Sequence, residues 1–317
     1  MQNSTLVSIV VPLLNEEESI VKLSNWIFES LRECNFSFEI IFVDDGSEDS
    51  SWDIIIELSK KFKNISGIRF TKNYGKSQAL HAGFKSARGD FIVTLDADLQ
   101  DSPEEITKMI DLLDDGYDLI SGWKKKRYDS ILFKNLPSKL FNWAARRVSG
   151  IKLHDFNCGI KAYKKEVAKT INIYGEMHRF IPVLAAQEGF NKIGEQIVKH
   201  QARQFGKTKF GSDRFFRGFF DLLTIWFINK FGKRPMHFFG LWGSFMLLIG
   251  FAFTAYLGFE KLFLFKEARL IASRPEFYIS LTLMLLGSQF FIAGFLGEII
   301  LKNRKTTSEY KIKEQTF

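Results

Sequence analysis

The chain is nearly without cysteine: Cys34 and Cys158 are the only two in 317 residues. Two distant thiols make neither a disulfide framework nor metal-ligand spacing, so both are expected to be structural and the compartment reducing. A basic N-terminal segment is also missing. The short apolar run Leu6–Val11 is therefore expected to be a first strand and not a signal peptide. There is no internal repeat and no low-complexity segment. Gly75-Lys76-Ser77 lacks the glycine that a phosphate-binding P-loop needs five residues earlier; Phe70 stands there, which excludes that NTPase class. The formal net charge of +8 suits an anionic partner, but no nucleic-acid-binding module is recognisable, which argues against nucleic acid. A phospholipid or a phosphorylated substrate suits that charge better.

Hydrophobic residues make up 46% of the chain and phenylalanine alone counts 34, thickening after residue 205. Before that point the pattern alternates. Val7–Val11, Glu39–Val43, Gly67–Phe70, Phe91–Leu95 and Leu119–Ser121 read as strands. Glu16–Arg32, Ser51–Phe62, Ser77–Ala87 and Pro103–Leu113 read as helices. Such alternation implies an α/β fold with a doubly wound, mostly parallel sheet over residues 1–211.

The C-terminal third reads differently. Met236–Phe259 is 24 residues with no charge except a possible one on His237, and Phe277–Leu301 is 25 residues with one acid, Glu298. A helix of about 20 apolar residues crosses a bilayer, so 236–301 is expected to be a transmembrane hairpin (236–259 and 277–301). The alternative is a pair of buried core helices. Lys230, Lys233 and Arg234 precede the hairpin, and Lys302, Arg304 and Lys305 follow it, which places both ends in the cytoplasm. The connecting loop dilutes that signal with Lys261, Lys266, Arg269 and Arg274. Residues 212–235, rich in Phe and Trp and flanked by Arg214, Arg217 and Lys230, have the composition of juxtamembrane interfacial helices. Residues 302–317 remain as a basic cytoplasmic tail. Ala293 and Gly297 could bring helices together in a homo-oligomer.

Three expected loops carry acids to one sheet edge. Val10-Val11-Pro12-Leu13-Leu14-Asn15-Glu16 ends the first strand, Phe42-Val43-Asp44-Asp45-Gly46-Ser47 the second. Leu95-Asp96-Ala97-Asp98-Leu99-Gln100-Asp101 ends the fourth. An Asp before a helix is ordinarily just a cap, and Asp101 or Ser102 before Pro103 reads as one. Asp96 and Asp98 together offer hard oxygens that suit Mg²⁺ or Mn²⁺ and, through it, a diphosphate. Open α/β sheets bind ligands at that edge.

These motifs resemble the family 2 glycosyltransferases of the GT-A fold, and among them the polyprenyl-phosphate enzymes such as dolichyl-phosphate mannose synthase and the bacterial GtrB-type transferases. Lys72-Asn73-Tyr74-Gly75-Lys76-Ser77, Asp155-Phe156-Asn157-Cys158-Gly159-Ile160-Lys161 and Arg203-Gln204-Phe205-Gly206-Lys207-Thr208-Lys209 extend the resemblance over nearly the whole chain.

The resemblance implies that Asp96 and Asp98 hold Mg²⁺ or Mn²⁺ and the donor diphosphate. Pro12, Leu14, Glu16, Phe42, Asp44 and Asp45 would line a nucleotide pocket, with Ala97 and Gln100 beside it. Arg203 and Lys209 would close over the diphosphate. Lys124 or Arg127 would meet the acceptor phosphate, and Asp155 would act as base or loop organiser. The implied reaction is metal-assisted single displacement of one sugar from a UDP- or GDP-sugar onto undecaprenyl or dolichyl phosphate at the bacterial plasma membrane. A polysaccharide synthase would carry Gln-x-x-Arg-Trp, which is absent here. An inactive membrane scaffold would have lost the paired acids or the Arg203/Lys209 pair, and both are present.

Overall fold

The computed structural model describes residues 5–125, 142–143, 145–147, 149–173, 175, 177–201, 226–227, 230–232, 234–264, 270–303 and 312–316. They form two compact units: Met1–Ile225 with Thr307–Phe317, and Trp226–Thr306.

The first unit is built on one eight-stranded sheet. In chain order its strands are β1 (Leu6–Leu13), β2 (Ser37–Asp44), β3 (Ile65–Phe70), β4 (Phe91–Thr94), β5 (Leu119–Trp123), β6 (Lys161–Lys164), β7 (Ile193–Ile197) and β8 (Ile312–Thr316). Their spatial order is β7-β5-β6-β4-β1-β2-β3-β8. β6 runs antiparallel to β4 and β5, and β8 antiparallel to β3; the other pairings are parallel. This is the mostly parallel α/β sheet expected, extended by β6, β7 and β8. The central strands read as unbroken apolar runs because both faces are covered. Val7, Ile9, Val10, Val11, Ile40, Phe42 and Val43 are all fully buried. Each such side chain contributes about 1.5–3 kcal/mol of transfer free energy.

Helices α1 (Ile20–Ser30), α2 (Ser51–Lys61), α3 (Lys76–Ser86), α4 (Ile106–Asp114), α5 (Lys165–Thr170) and α6 (Ile181–Gln187) complete the unit. α1 starts four residues after the expected Glu16, following a turn over residues 17–19 and a left-handed Asn15 at φ 53. Residues there tie to the β2 loop instead: the Asn15 and Glu16 amides donate to Ser47 Oγ (2.8 Å) and Ser51 Oγ (3.0 Å). At the opposite end of the sheet, buried Glu39 accepts Ser8 Oγ at 2.6 Å and the Arg88 guanidinium at 2.6 Å and 2.9 Å.

The second unit is a hairpin of α7 (Pro235–Phe259) and α8 (Pro275–Asn303). Both are long and apolar enough to cross a membrane. They are not core helices: Leu248 is 67% exposed and Phe251 63%. Glycines let the two backbones touch. A Cβ on Gly243 would stand 2.7 Å from Gly287 O, and one on Gly287 2.7 Å from Gly243 O. Gly297 faces Pro235 of its own hairpin, so its small size serves packing within the chain. Glu260 and Arg274 form a two-bond ion pair (2.8 Å and 3.1 Å) at the connecting end. Of the expected juxtamembrane stretch, Trp226 and Phe227 meet Phe238 of α7 edge to face, and Phe231 packs on it at a tilt. The 302–317 segment differs from a plain basic tail, since Ile312–Thr316 joins the sheet as β8.

Candidate active site

Strands β1 to β5 and β7 point one way, so the loops that follow them open at one edge; antiparallel β6 starts there. The three acid-bearing loops therefore share that edge, joined by the 151–160 loop and by residues 198–201.

The β2 loop carries two acids with different surroundings. Asp44 is fully buried; its Oδ1 accepts the Ser47 amide at 2.8 Å, while Oδ2 is 3.5 Å from Arg69 Nε and receives no hydrogen bond. Burial raises its pKa despite the Ser47 bonds. An orphaned buried acceptor of this kind matches an incoming N–H or O–H of a nucleoside. Asp45 is already engaged. Its Oδ1 accepts the Tyr74 amide at 2.7 Å and its Oδ2 the Gly75 amide at 2.9 Å, which fixes the turn into α3. Burial nevertheless pushes Asp45 up to about 6. Phe42, expected at the pocket wall, is instead fully buried in the core, because its place in β2 turns the ring toward Ile9 and Ile40. Pro12 and Ala97 are buried too, whereas Leu14, Glu16 and Gln100 are half-buried.

The β4 loop is tight. Leu99, itself buried, sits at φ 58, a costly conformation for a leucine and one that clusters at functional sites. Asp98 Oδ1 accepts the Gln100 amide at 3.2 Å. Asp96 Oδ1 lies 2.5 Å from Lys76 Nζ. Burial would raise Asp96, but the Lys76, Lys124 and Lys161 charges hold it below the usual carboxylate range. Burial together with Asp96 and Asp101 pushes Asp98 up to about 6. Asp101 is not a helix cap: it faces Lys124 Nζ at 2.6 Å and His200 Nδ1 at 4.0 Å. The Gln201 amide donates to Gln100 O at 2.9 Å, hooking the chain before residue 202 onto this loop.

Lys124, expected at an acceptor phosphate, is thus half-buried and paired with Asp101; burial would lower its pKa, but Cys158 and the Asp101 and Asp96 carboxylates raise it. Asp155 is buried and organises its own loop: Oδ1 accepts the Asn157 amide at 3.0 Å. Lys161, wholly buried, donates to Cys158 O. His178 contacts Ser77 Oγ at 3.2 Å, and burial with the Lys76, Arg179 and Lys161 charges depresses it well below its usual value. Arg127, Arg203 and Lys209 lie outside the described residues.

Sequence reasoning did not select Lys76, Asp101, Lys161 or His200 as site residues. Asp101 had a signal, the third acid of one short loop, which the capping reading absorbed. The others come together only through the sheet order.

The oxygens of Asp96 and Asp98 fit a hard divalent ion, and the surplus negative charge that raises Asp98 is what such an ion neutralises. Among the described residues no three ligating side chains form a ready cage, so a donor diphosphate would complete the coordination.

Comparison with known proteins agrees with this arrangement. The family model "Glycosyl transferase family 2" matches residues 8–171. Dodecaprenyl-phosphate galacturonate synthase of Rhizobium johnstonii is 35% identical over 319 residues, covering 98% of this chain and 92% of that protein. Undecaprenyl-phosphate 4-deoxy-4-formamido-L-arabinose transferase of Pectobacterium carotovorum is 36% identical over 295 residues, covering 93% and 88%. Among solved structures, glucosyl-3-phosphoglycerate synthase of Mycobacterium tuberculosis, in complex with Mn²⁺, UDP-glucose and phosphoglyceric acid, superposes with a TM-score of 0.54 at 17% identity over 72% of this chain and 80% of that one. The acid-lined edge of a mostly parallel GT-A-type sheet and these matches have one reading: the chain belongs to glycosyl transferase family 2.

Proposed function

We propose that the protein transfers one sugar from a nucleotide sugar to a membrane polyprenyl phosphate. The observation that carries this reading is the convergence of the Asp44 and Asp96–Asp98 loops on one sheet edge, in a chain whose other unit is a hairpin of two lipid-length apolar helices. Both curated relatives named above act on polyprenyl phosphates.

The acceptor's phosphate oxygen attacks the anomeric carbon of the sugar. A C–O bond forms there as the bond to the nucleoside diphosphate breaks, and that diphosphate leaves with the electron pair. An acceptor phosphate is anionic near neutral pH, so no strong general base is required. Buried Asp44 Oδ2 accepts a hydrogen bond from the nucleoside. Asp98 and Asp96 would hold Mg²⁺ or Mn²⁺, which would supply charge neutralisation at the leaving diphosphate. Arg203 and Lys209 close over the same group. Asp155 keeps the acceptor-side loop in shape, and Arg127 replaces the engaged Lys124 as the cation for the lipid phosphate. The sheet unit and both hairpin ends lie on the cytoplasmic side of a bacterial plasma membrane, with Lys230, Lys233 and Arg234 before the hairpin and Lys302, Arg304 and Lys305 after it.

The test is a donor screen on the purified full-length protein with undecaprenyl phosphate and Mn²⁺. UDP-galacturonate, UDP-4-deoxy-4-formamido-arabinose, UDP-glucose and GDP-mannose are compared. A monosaccharyl lipid from one donor is expected. Asp98→Asn is expected to lower its formation at least about 100-fold, the scale of losing a main transition-state charge partner. A chain-extended glycan, or undiminished transfer by Asp98→Asn, overturns the reading.

A further inference from the structure

One cation of the site has no part in that scheme. Lys76 opens α3, and its Nζ lies 2.5 Å from Asp96 Oδ1. Two features aim it there. Gly75 turns the backbone at φ +97, and Asp45 holds the Tyr74 and Gly75 amides. On the other flank, Ser77 Oγ accepts the His178 amide at 3.0 Å. The second oxygen of Asp96 packs against Gly159, where any side chain would collide with the carboxylate. Asp96 is thus engaged by Lys76 through Oδ1 and backed by Gly159 at Oδ2. Asp98 differs: among the described residues no ammonium or guanidinium comes within ion-pair distance of it, and its Oδ1 meets only the Gln100 amide.

We propose that the Lys76 ammonium is a resident counter-ion that keeps a divalent cation off Asp96 until the donor diphosphate draws the lysine away. The inference rests on the metal reading given above. An ammonium and a divalent ion on one carboxylate repel each other, so the two compete for Asp96. A metal arriving alone meets Asp98 and an Asp96 already neutralised. A diphosphate supplies the anion that Lys76 needs in exchange, and the lysine stem, about a third exposed, is long enough to swing. The device makes metal binding depend on the donor. It also links the nucleotide loop to the metal loop, since Asp45 of the one fixes the turn that aims Lys76 at Asp96 of the other.

The experiment titrates Mn²⁺ into the full-length protein in detergent, with free Mn²⁺ read by electron paramagnetic resonance, with and without UDP. Without UDP, Lys76→Met is expected to bind Mn²⁺ at least tenfold more tightly than the wild type. The double variant Lys76→Met/Asp96→Asn is expected to lose that gain. Lys76→Arg keeps the charge and is expected to match the wild type, which separates the charge effect from misfolding. If Lys76→Met binds Mn²⁺ no more tightly than the wild type while still binding UDP, Lys76 is a structural partner and the proposal falls. If the wild type takes up no Mn²⁺ even with UDP, the metal reading itself falls, and this inference with it.

Discussion

At Asp45, burial and the neighbouring Asp44 charge outweigh two backbone N–H bonds and push the carboxyl from 3.8 up to about 6. The folded state therefore holds this proton more tightly than the unfolded chain. The resulting stability is fully present below about pH 4 and is lost as pH rises through about 6. Its slope is at most about 1.4 kcal/mol per pH unit. Asp45→Asn keeps an oxygen for the Tyr74 and Gly75 amides and removes the titration. The expected outcome is a smaller drop in thermal unfolding midpoint between pH 5 and pH 7 than in the wild type, while Asp98, shifted the same way, retains its share. Equal drops in the two proteins would remove Asp45 from this role. Asp44, Asp96 and Asp98 were legible in the sequence as acids after apolar strands. Their different states were not, because Asp45 is answered by amides from another loop and Asp96 by a lysine twenty residues away.

The elements missed by periodicity are the short or late ones. β6 is four residues long, and β8 has a polar sequence, Ile-Lys-Glu-Gln-Thr, that no hydrophobic alternation marks. What makes β8 a strand is its partner. The buried Trp52 indole donates to Glu314 Oε2 at 2.7 Å, and the Gly67 amide donates to Thr316 Oγ1 at 2.9 Å. Glu314→Leu leaves the indole N–H without that acceptor, at a cost of about 1–3 kcal/mol. Deleting residues 312–317 also exposes the β3 edge. The expected outcomes are a thermal midpoint lower by a few degrees for Glu314→Leu, and added aggregation on heating for the deletion, measured by light scattering. A deletion variant as stable and as monodisperse as the full chain would show that β8 contributes nothing.

Across the whole molecule, the two units rest on different physics. The sheet unit buries branched apolar side chains from water, whereas the hairpin leaves its large apolar side chains outside and joins its helices through glycine. Gly287→Leu would place a Cβ 2.7 Å from Gly243 O and 2.8 Å from Leu247 N, backbone atoms that a rotamer change cannot clear. Transfer to lipid phosphate is expected to collapse in that variant while UDP binding by the sheet unit survives within about twofold, as for distant independent sites. Calorimetric titration with UDP and the lipid assay check the two halves of that statement.

Sequence alone determined the strand–helix alternation, the position of three acid loops at strand ends and the two lipid-length helices. Each is a local property, set by side-chain period and run length within one segment. Tertiary structure alone decided which charges meet. Lys76 reaches Asp96, Lys124 reaches Asp101, His200 approaches the same acid, and the chain's last residues return to β3. Those contacts depend on the order of strands across the sheet, and no local pattern in a chain encodes the distance between residues that only folding brings together.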